Sequence, residues 1–161
     1  MCRFLFDTNA LNAFLDFGVQ AADLVEGLHC CVTAAQVGEL KATRRDSRRL
    51  ALLEYFEELS ATLPVQRESL RSGPFGTSPF GEAPFGGGEG RYFKTIMDQL
   101  EEIPGNRSKR GNTTDALTLE VCFYENTTLV TDDPSLTAVA QSYDVEVLSF
   151  VKFIERNGRD F

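Results

Sequence analysis

Five acidic side chains fall where a chain of this kind can do chemistry. Asp7 follows the apolar run Phe4-Leu5-Phe6, and Asp132-Asp133 follow Thr128-Leu-Val-Thr131. Glu39 lies early in one helix-like stretch and Asp115 at the start of another. Brought to one edge of a molecule, such carboxylates repel one another and raise each other's pKa unless a cation neutralises them. Mg²⁺ and Mn²⁺, hard ions that prefer oxygen ligands, suit the set. One or two of them can activate a water and steady the charge of an in-line phosphoryl displacement. Taken singly, each acid also has a purely structural reading. Asp7 can cap the first helix. Asp115, three residues after Asn112, can complete a capping box. Asp133 stands before Pro134, the order of an N-cap acid and a first-turn proline, and Glu39 can be a solvated helix acid. As a set they favour the cation, because one site accounts for every member.

The elements that must position these acids follow from the spacing of apolar residues. Phe4–Phe6 reads as a buried strand, Asp7-Thr8-Asn9 as a polar turn, and Leu11, Phe14 and Leu15 as the inner face of a helix. A short helix over Val19–Glu26 and a short strand Cys30-Cys31-Val32 follow. Thr33-Ala-Ala-Gln36 matches a capping box and opens the helix that carries Glu39. Leu50–Leu59 is amphipathic, with Leu50, Leu53, Phe56 and Leu59 expected inward; Leu63-Pro-Val65 is a candidate edge strand. Tyr92–Ile103 is a further helix, and Asn112 opens the next, with Ala116, Leu119, Val121, Cys122 and Phe123 toward the core. Thr128–Thr131 and Val145–Leu148 read as strands, each followed by a helix. This alternation predicts an α/β protein built on a doubly wound parallel sheet flanked by helices. In such a sheet the junctions that hold the acids lie on the carboxyl edge.

Composition narrows the chemistry. His29 is the lone histidine and the four cysteines (Cys2, Cys30, Cys31, Cys122) lack a C-x-x-C spacing, which argues against a zinc site and against a histidine acid–base pair. The cysteines are expected to serve as small buried hydrophobes. The 161 residues suit a single domain. No apolar run reaches the roughly 20 residues of a membrane span, and the start lacks the pattern of a secretory signal; the expected address is the cytoplasm. A net charge of −8 is unfavourable for binding a polyanion. Two basic clusters offset it locally, Arg44, Arg45, Arg48 and Arg49, and Arg107, Lys109 and Arg110; of these Arg44, Arg45, Arg48, Arg107, Lys109 and Arg110 are candidate RNA contacts.

Residues 72–90 break the pattern, with Pro-Phe-Gly recurring at Pro74, Pro79 and Pro84. Such a stretch suits neither a helix nor an inner strand. It is expected to be an inserted loop. Fixing it costs about 1–2 kcal/mol per residue in backbone entropy, against about 1.5–3 kcal/mol for each phenylalanine fully buried. The expectation is a mobile loop, ordered only where its rings dock.

Four motifs in order carry a family likeness: Phe6-Asp7-Thr8-Asn9, Thr33-x-x-Gln36-x-x-Glu39-Leu40, Thr114-Asp115-Ala116, and Leu129-Val-Thr-Asp-Asp-Pro-Ser-Leu136. Together they resemble the PIN-domain family of metal-dependent nucleases, which includes VapC-like toxins. The likeness runs from about residue 3 to 150 and leaves out the glycine-rich insertion. It implies a Rossmann-like fold with an acidic pocket, Mg²⁺ or Mn²⁺ as cofactor, and hydrolysis of RNA that leaves a 5′-phosphate. Asp7, Glu39 and Asp115 match the first three family acids. Asp133 matches the fourth, with the equally acidic Asp132 beside it. Thr8, Asn9 and Thr131 become polar neighbours of these acids. The likeness also implies a small antitoxin partner and a homodimer. Two rival phosphoryl-transfer patterns fit less well. A haloacid-dehalogenase-like phosphatase needs an aspartate where Asn9 stands, and a receiver-like domain places its acidic pair after the first strand. A non-catalytic PIN-like module that binds RNA or protein is the remaining alternative.

Overall fold

The computed structural model describes residues 3–25, 28–62, 90–105 and 109–157. Residues 72–90, apart from Gly90 at the head of a helix, and the candidate strand at Leu63–Val65 lie outside these. Four short strands, β1 (Phe4–Phe6), β2 (Cys30–Cys31), β3 (Thr128–Val130) and β4 (Val147–Leu148), form one sheet in the order β2-β1-β3-β4. Every pairing is parallel, with Phe4 opposite both Cys30 and Thr128, and Leu129 opposite Val147.

Helices cover both faces, and the two-residue period of a strand sorts the core between them. Phe4, Phe6, Cys30 and Val130 point to one side. There they meet α1 (Thr8–Asp16), α2 (Ala21–Val25), α3 (Val37–Lys41), α4 (Asp46–Thr62) and α8 (Phe150–Asn157). Leu5, Cys31 and Leu129 point to the other side. They meet α5 (Gly90–Glu102), α6 (Lys109–Glu125) and α7 (Pro134–Ser142). The expected α/β sheet flanked by helices is therefore present.

The first face is dominated by phenylalanines. Phe14 stands edge-on to Phe6 at 4.8 Å, to Phe150 at 5.3 Å and to Phe153 at 5.8 Å, the geometry that the ring quadrupole favours. Truncating Phe14 to alanine would leave a void among these rings, a change worth about 3–5 kcal/mol in such cores. On the second face α6 is buried nearly all round, from Asn112 to Cys122 with only Thr113 partly open. It is sandwiched between β3, α5, α7 and the turn that precedes α3.

Several expectations change in detail. The inner stripe of α4 is Leu52, Tyr55, Phe56 and Leu59, and Leu50 is 59% exposed. The run Leu50-Ala-Leu-Leu offers two adjacent faces, and packing against α1 and α2 selects the one through Leu52. Thr33 does open a helical stretch, but its first turn, Ala34–Gln36, is a 3₁₀ turn. α6 begins at Lys109, so Asn112 and Asp115 lie inside the helix, and Asp115 does not complete a capping box at its start. Cys31 is disulfide-bonded rather than a free buried thiol, while Cys30 and Cys122 are free and buried. No helix among the described residues is long and apolar enough to cross a membrane.

Candidate active site

The sheet order places a topological switch between β1 and β3. From β1 the chain moves outward to β2, then returns past β1 to build β3 and β4 on the other side. In open parallel sheets the crevice outside such a switch is where ligands bind. Asp7 and Thr131, each the next residue after its strand, meet there.

Asp7 is fully buried. It N-caps α1, with Oδ1 accepting from the Thr8 backbone N–H at 2.6 Å. Its other oxygen, Oδ2, accepts from the Thr131 hydroxyl at 3.0 Å. A hydroxyl has one proton to give and two lone pairs to offer. With its proton on Asp7, Thr131 Oγ1 also accepts from Asn9 Nδ2 at 3.2 Å and from the Asp133 backbone N–H at 3.0 Å. Asn9 Oδ1 in turn accepts from the Asp132 backbone N–H at 3.2 Å. Thr131 and Asn9 thus fasten the polar turn after β1 to the turn after β3.

Glu39 reaches the same corner from α3. Thr8 Oγ1 donates to Glu39 Oε2 at 2.8 Å. The turn that aims α3 is held by Gln36, which is fully buried. Gln36 Nε2 donates to the Phe6 carbonyl at 2.6 Å, and its Oε1 accepts from the Thr33 backbone N–H at 2.8 Å. The second bond is one half of the capping box read from the sequence. The first, which fixes α3 to the end of β1, has no local sequence signal.

The acids after β3 have other tasks. Asp133 N-caps α7, its Oδ1 accepting from Ser135 N–H at 2.8 Å and Leu136 N–H at 3.1 Å. Asp132 is exposed and accepts from the Phe150 N–H at the start of α8, at 3.2 Å.

Asp115 is buried on α6. Climbing from the turn at Asn126, a helix gains about 1.5 Å per residue, which sets Asp115 roughly 16 Å up. The strand gains about 3.3 Å per residue, so β3 ends roughly 13 Å up. On that reckoning of ideal rises, Asp115 stands about level with the strand ends. Cys122 lies about two turns below it on the same helical face. Its thiol is pushed up to about 12, chiefly by burial; Thr127 lowers it and the charge of Asp7 adds to the rise.

The basic candidates separate. Arg48 is committed to α1, with Nε and Nη2 donating to Asn12 Oδ1 at 3.1 and 2.9 Å and Nη1 to Asp16 at 2.5 Å. Arg49 bonds Asp46 at 2.7 Å. Arg44 and Arg45 are exposed in the link between α3 and α4, next to the helix that carries Glu39. Arg107 and the side chains of Lys109 and Arg110 lie outside the described residues.

The donors at the switch are all oxygens, from carboxylates, hydroxyls and an amide, which is the chemistry a hard divalent ion prefers. Among the described residues, however, no three acidic, histidine or cysteine side chains stand together as a ready-made metal cluster. Hydroxyls separate the acids instead, Thr8 against Glu39 and Thr131 against Asp7. Mg²⁺ is commonly held by one or two carboxylates and keeps several waters, so a ready-made cluster of three is not a requirement for such an ion. Two residues that the sequence pattern did not place in the acidic site are also buried on α6. Glu120 is fully buried, and the side-chain oxygen of Asn112 is buried without a hydrogen-bond partner. Comparison of the chain with family profiles and with curated proteins finds no match to either.

Proposed function

We propose that the protein is a Mg²⁺- or Mn²⁺-dependent endoribonuclease of the PIN type, with its active site at the β1–β3 switch. The observation that carries this reading is Asp7, a fully buried carboxylate at the end of β1 whose second oxygen is held by a hydroxyl from the end of β3. A carboxylate removed from water at a ligand-binding crevice is costly unless it has a cationic partner or a full set of hydrogen bonds. The bound ion would supply charge neutralisation and an activated water for phosphodiester hydrolysis.

The chain's own residues divide the remaining work. Asp7 and Glu39 supply negative charge from two directions, and Asp115 supplies it from α6. Thr131 orients Asp7, and Thr8 orients Glu39. Thr131 and Asn9 set the distance between the two strand-end turns. Asp133 stands at the rim with one oxygen engaged in its helix cap. Arg44 and Arg45 extend from the Glu39 side, where they can neutralise phosphates of an RNA strand.

The test is cleavage of a mixed single-stranded and structured RNA with Mg²⁺ or Mn²⁺ present, then with the ions chelated. Wild-type protein should cut only with the ion. Asp7→Asn should keep the wild-type circular dichroism and lose cleavage. Undiminished cutting by a folded Asp7→Asn protein would remove the proposal. RNA binding with no cutting by the wild type would favour the non-catalytic module.

A further inference from the structure

We infer that Phe17 is a stacking platform for an unpaired base of the RNA strand, which makes the substrate single-stranded rather than duplex; this rests on the nuclease reading proposed above. Phe17 is 71% exposed, more than any other large apolar side chain among the described residues. Its ring lies stacked on that of Phe150, with centroids 5.0 Å apart and planes 21° apart. One face is taken by Phe150, so the open area belongs chiefly to the other.

The end of α1 does not account for a phenylalanine at this position. The Gly18 N–H donates to the Leu15 carbonyl at 3.2 Å and the Val19 N–H to the Phe14 carbonyl at 2.9 Å. With Gly18 in the left-handed region at φ 71°, this is a Schellman end. The apolar pair that accompanies such an end is Phe14 and Val19, both in the buried core. Phe17 takes no part in it.

Its surroundings tie the ring to the acidic corner. Phe150 heads α8 just after β4, at the carboxyl edge of the sheet. The Phe150 N–H donates to Asp132 Oδ1 at 3.2 Å, and the Asp132 N–H donates to Asn9 Oδ1 at 3.2 Å. Asn9 in turn shares the Thr131 hydroxyl with Asp7. The ring spacing, the length of one phenylalanine and that bond set the Phe17 ring on the order of 10 Å from the Asp132 carboxylate. A stacked strand gains about 3.4 Å per nucleotide, so about three nucleotides join the ring to the acids. Lys152, exposed in the first turn of α8, offers a charge for a phosphate on the way. The neighbouring charge of Asp16 is already met by Arg48.

The size of the patch favours a base over a protein surface. A stable protein interface takes about 800 Å² from each partner, and an aromatic side chain offers about 150–250 Å². Val151, 59% exposed, is the one large apolar residue that adds to it beside Phe150. Leu50 is as exposed, but it stands two positions past Arg48, about 200° round α4 from the side that bonds α1. A single bare ring matches a single nucleobase. Bases within a duplex have both faces taken by their neighbours, so only an unpaired one can lie on it.

The chain contains no tryptophan, so the indole of a Phe17→Trp variant reports from this place alone. In the Asp7→Asn background, where the strand is expected to stay whole, a short single-stranded oligoribonucleotide should quench the indole emission. An abasic strand of equal length and charge should leave it unchanged. Anisotropy with Mn²⁺ present should show Phe17→Ala binding the oligoribonucleotide about tenfold more weakly, within what stacking aromatics contribute, and Phe17→Trp binding it undiminished. Phe17→Leu still covers Phe150 and should melt as the parent does, yet bind as weakly as the alanine variant because it has no flat face. Duplex RNA should bind all of them alike. Parental affinity in Phe17→Leu, or emission unmoved at saturating single strand, would overturn the inference. So would a changed oligomeric state in Phe17→Ala with RNA binding intact, which would assign the ring to a protein contact. Cleavage separates the two levels. If the wild type cuts RNA with Mn²⁺ and the Phe17 variants bind normally, only the platform falls. If the wild type does not cut and single-stranded RNA still quenches the indole, the nuclease reading falls and the platform stands. If the wild type neither cuts nor binds RNA, both fall.

Discussion

The two strand ends that meet at the switch carry the same chemical group under different constraints. After β1, Asp7 is wholly buried, and each of its oxygens meets a different donor, one from its own helix and one from β3. After β3, Asp132 is exposed and Asp133 half-buried, and each is described chiefly by the helix it caps. An N-cap satisfies backbone donors and works as well at the surface, so it gives no reason to bury a carboxylate. Burial together with a hydroxyl delivered from a distant strand is what marks Asp7 as more than a cap. The two ends are also joined through one atom, Thr131 Oγ1, so a change at either is felt at the other.

The largest expected effect tests that contrast directly. Asp7→Asn should lower RNA cleavage at least about a hundredfold, since even the groups that merely support a metal's ligands contribute about 10–100-fold. Asp132→Asn should stay within a few-fold of wild type. Equal losses in the two variants, measured by initial rates at saturating Mn²⁺, would erase the distinction between the strand ends.

Asp133 sharpens the contrast. Asp133→Ala should cost about 0.5–2 kcal/mol in urea denaturation through the lost α7 cap. Asp133→Ser should recover most of that, because serine caps as well as aspartate. Cleavage by the serine variant then reports on the carboxylate alone. Activity retained there assigns Asp133 wholly to its cap, and activity lost assigns it a second task at the site.

The basic residues allow a matching comparison at smaller amplitude. Arg48→Ala removes the bonds to Asn12 and should cost on the order of 1 kcal/mol of stability while leaving the salt dependence of RNA binding unchanged. Arg45→Ala should do the reverse. It should be silent in denaturation, and should lower the slope of log affinity against log salt by roughly one.

How much of this was legible beforehand depended on whether the cause was local. The apolar runs of β1 and β3 and the Asp-Pro start of α7 are statements about neighbouring residues, and they appear where the pattern put them. Asn112-Thr-Thr-Asp115 looked like a helix start because it satisfies the capping pattern. The helix begins at Lys109, three residues earlier, and Asn112, Thr114 and Asp115 are buried within it. Spacing allows an inner stripe through Leu50 and another through Leu52, and only the α1 and α2 surfaces choose between them. The bond from Gln36 to the Phe6 carbonyl and the unmet oxygen of Asn112 depend on residues far away in sequence. No local pattern encodes them.

The smallest effect lies at the opposite edge of the sheet and serves as a control. Glu146 accepts from Thr128 Oγ1 at 2.7 Å and from Arg156 at 2.5 Å. The Thr128 bond, then the Arg156 bond, hold its pKa below the ordinary 4.5. A depressed carboxylate pKa adds stability above the ordinary value and forfeits it as pH falls through the lowered one. Glu146→Gln should therefore flatten the acid limb of the stability–pH curve, read by thermal melts below about pH 5, and leave cleavage at neutral pH untouched.

The bond between Thr131 and Asp7 joins residues 124 positions apart. Closing a chain over such a span carries an entropic cost that nearby contacts do not share, and pairings of this kind form late when a protein folds. A ribosome releases Asp7, Thr8 and Glu39 long before it releases Thr131. Until β3 emerges and slides in beside β1, the first acid has its own helix but not the hydroxyl that steadies it. The crevice is therefore incomplete on the growing polypeptide and takes its final form only once β3 has arrived.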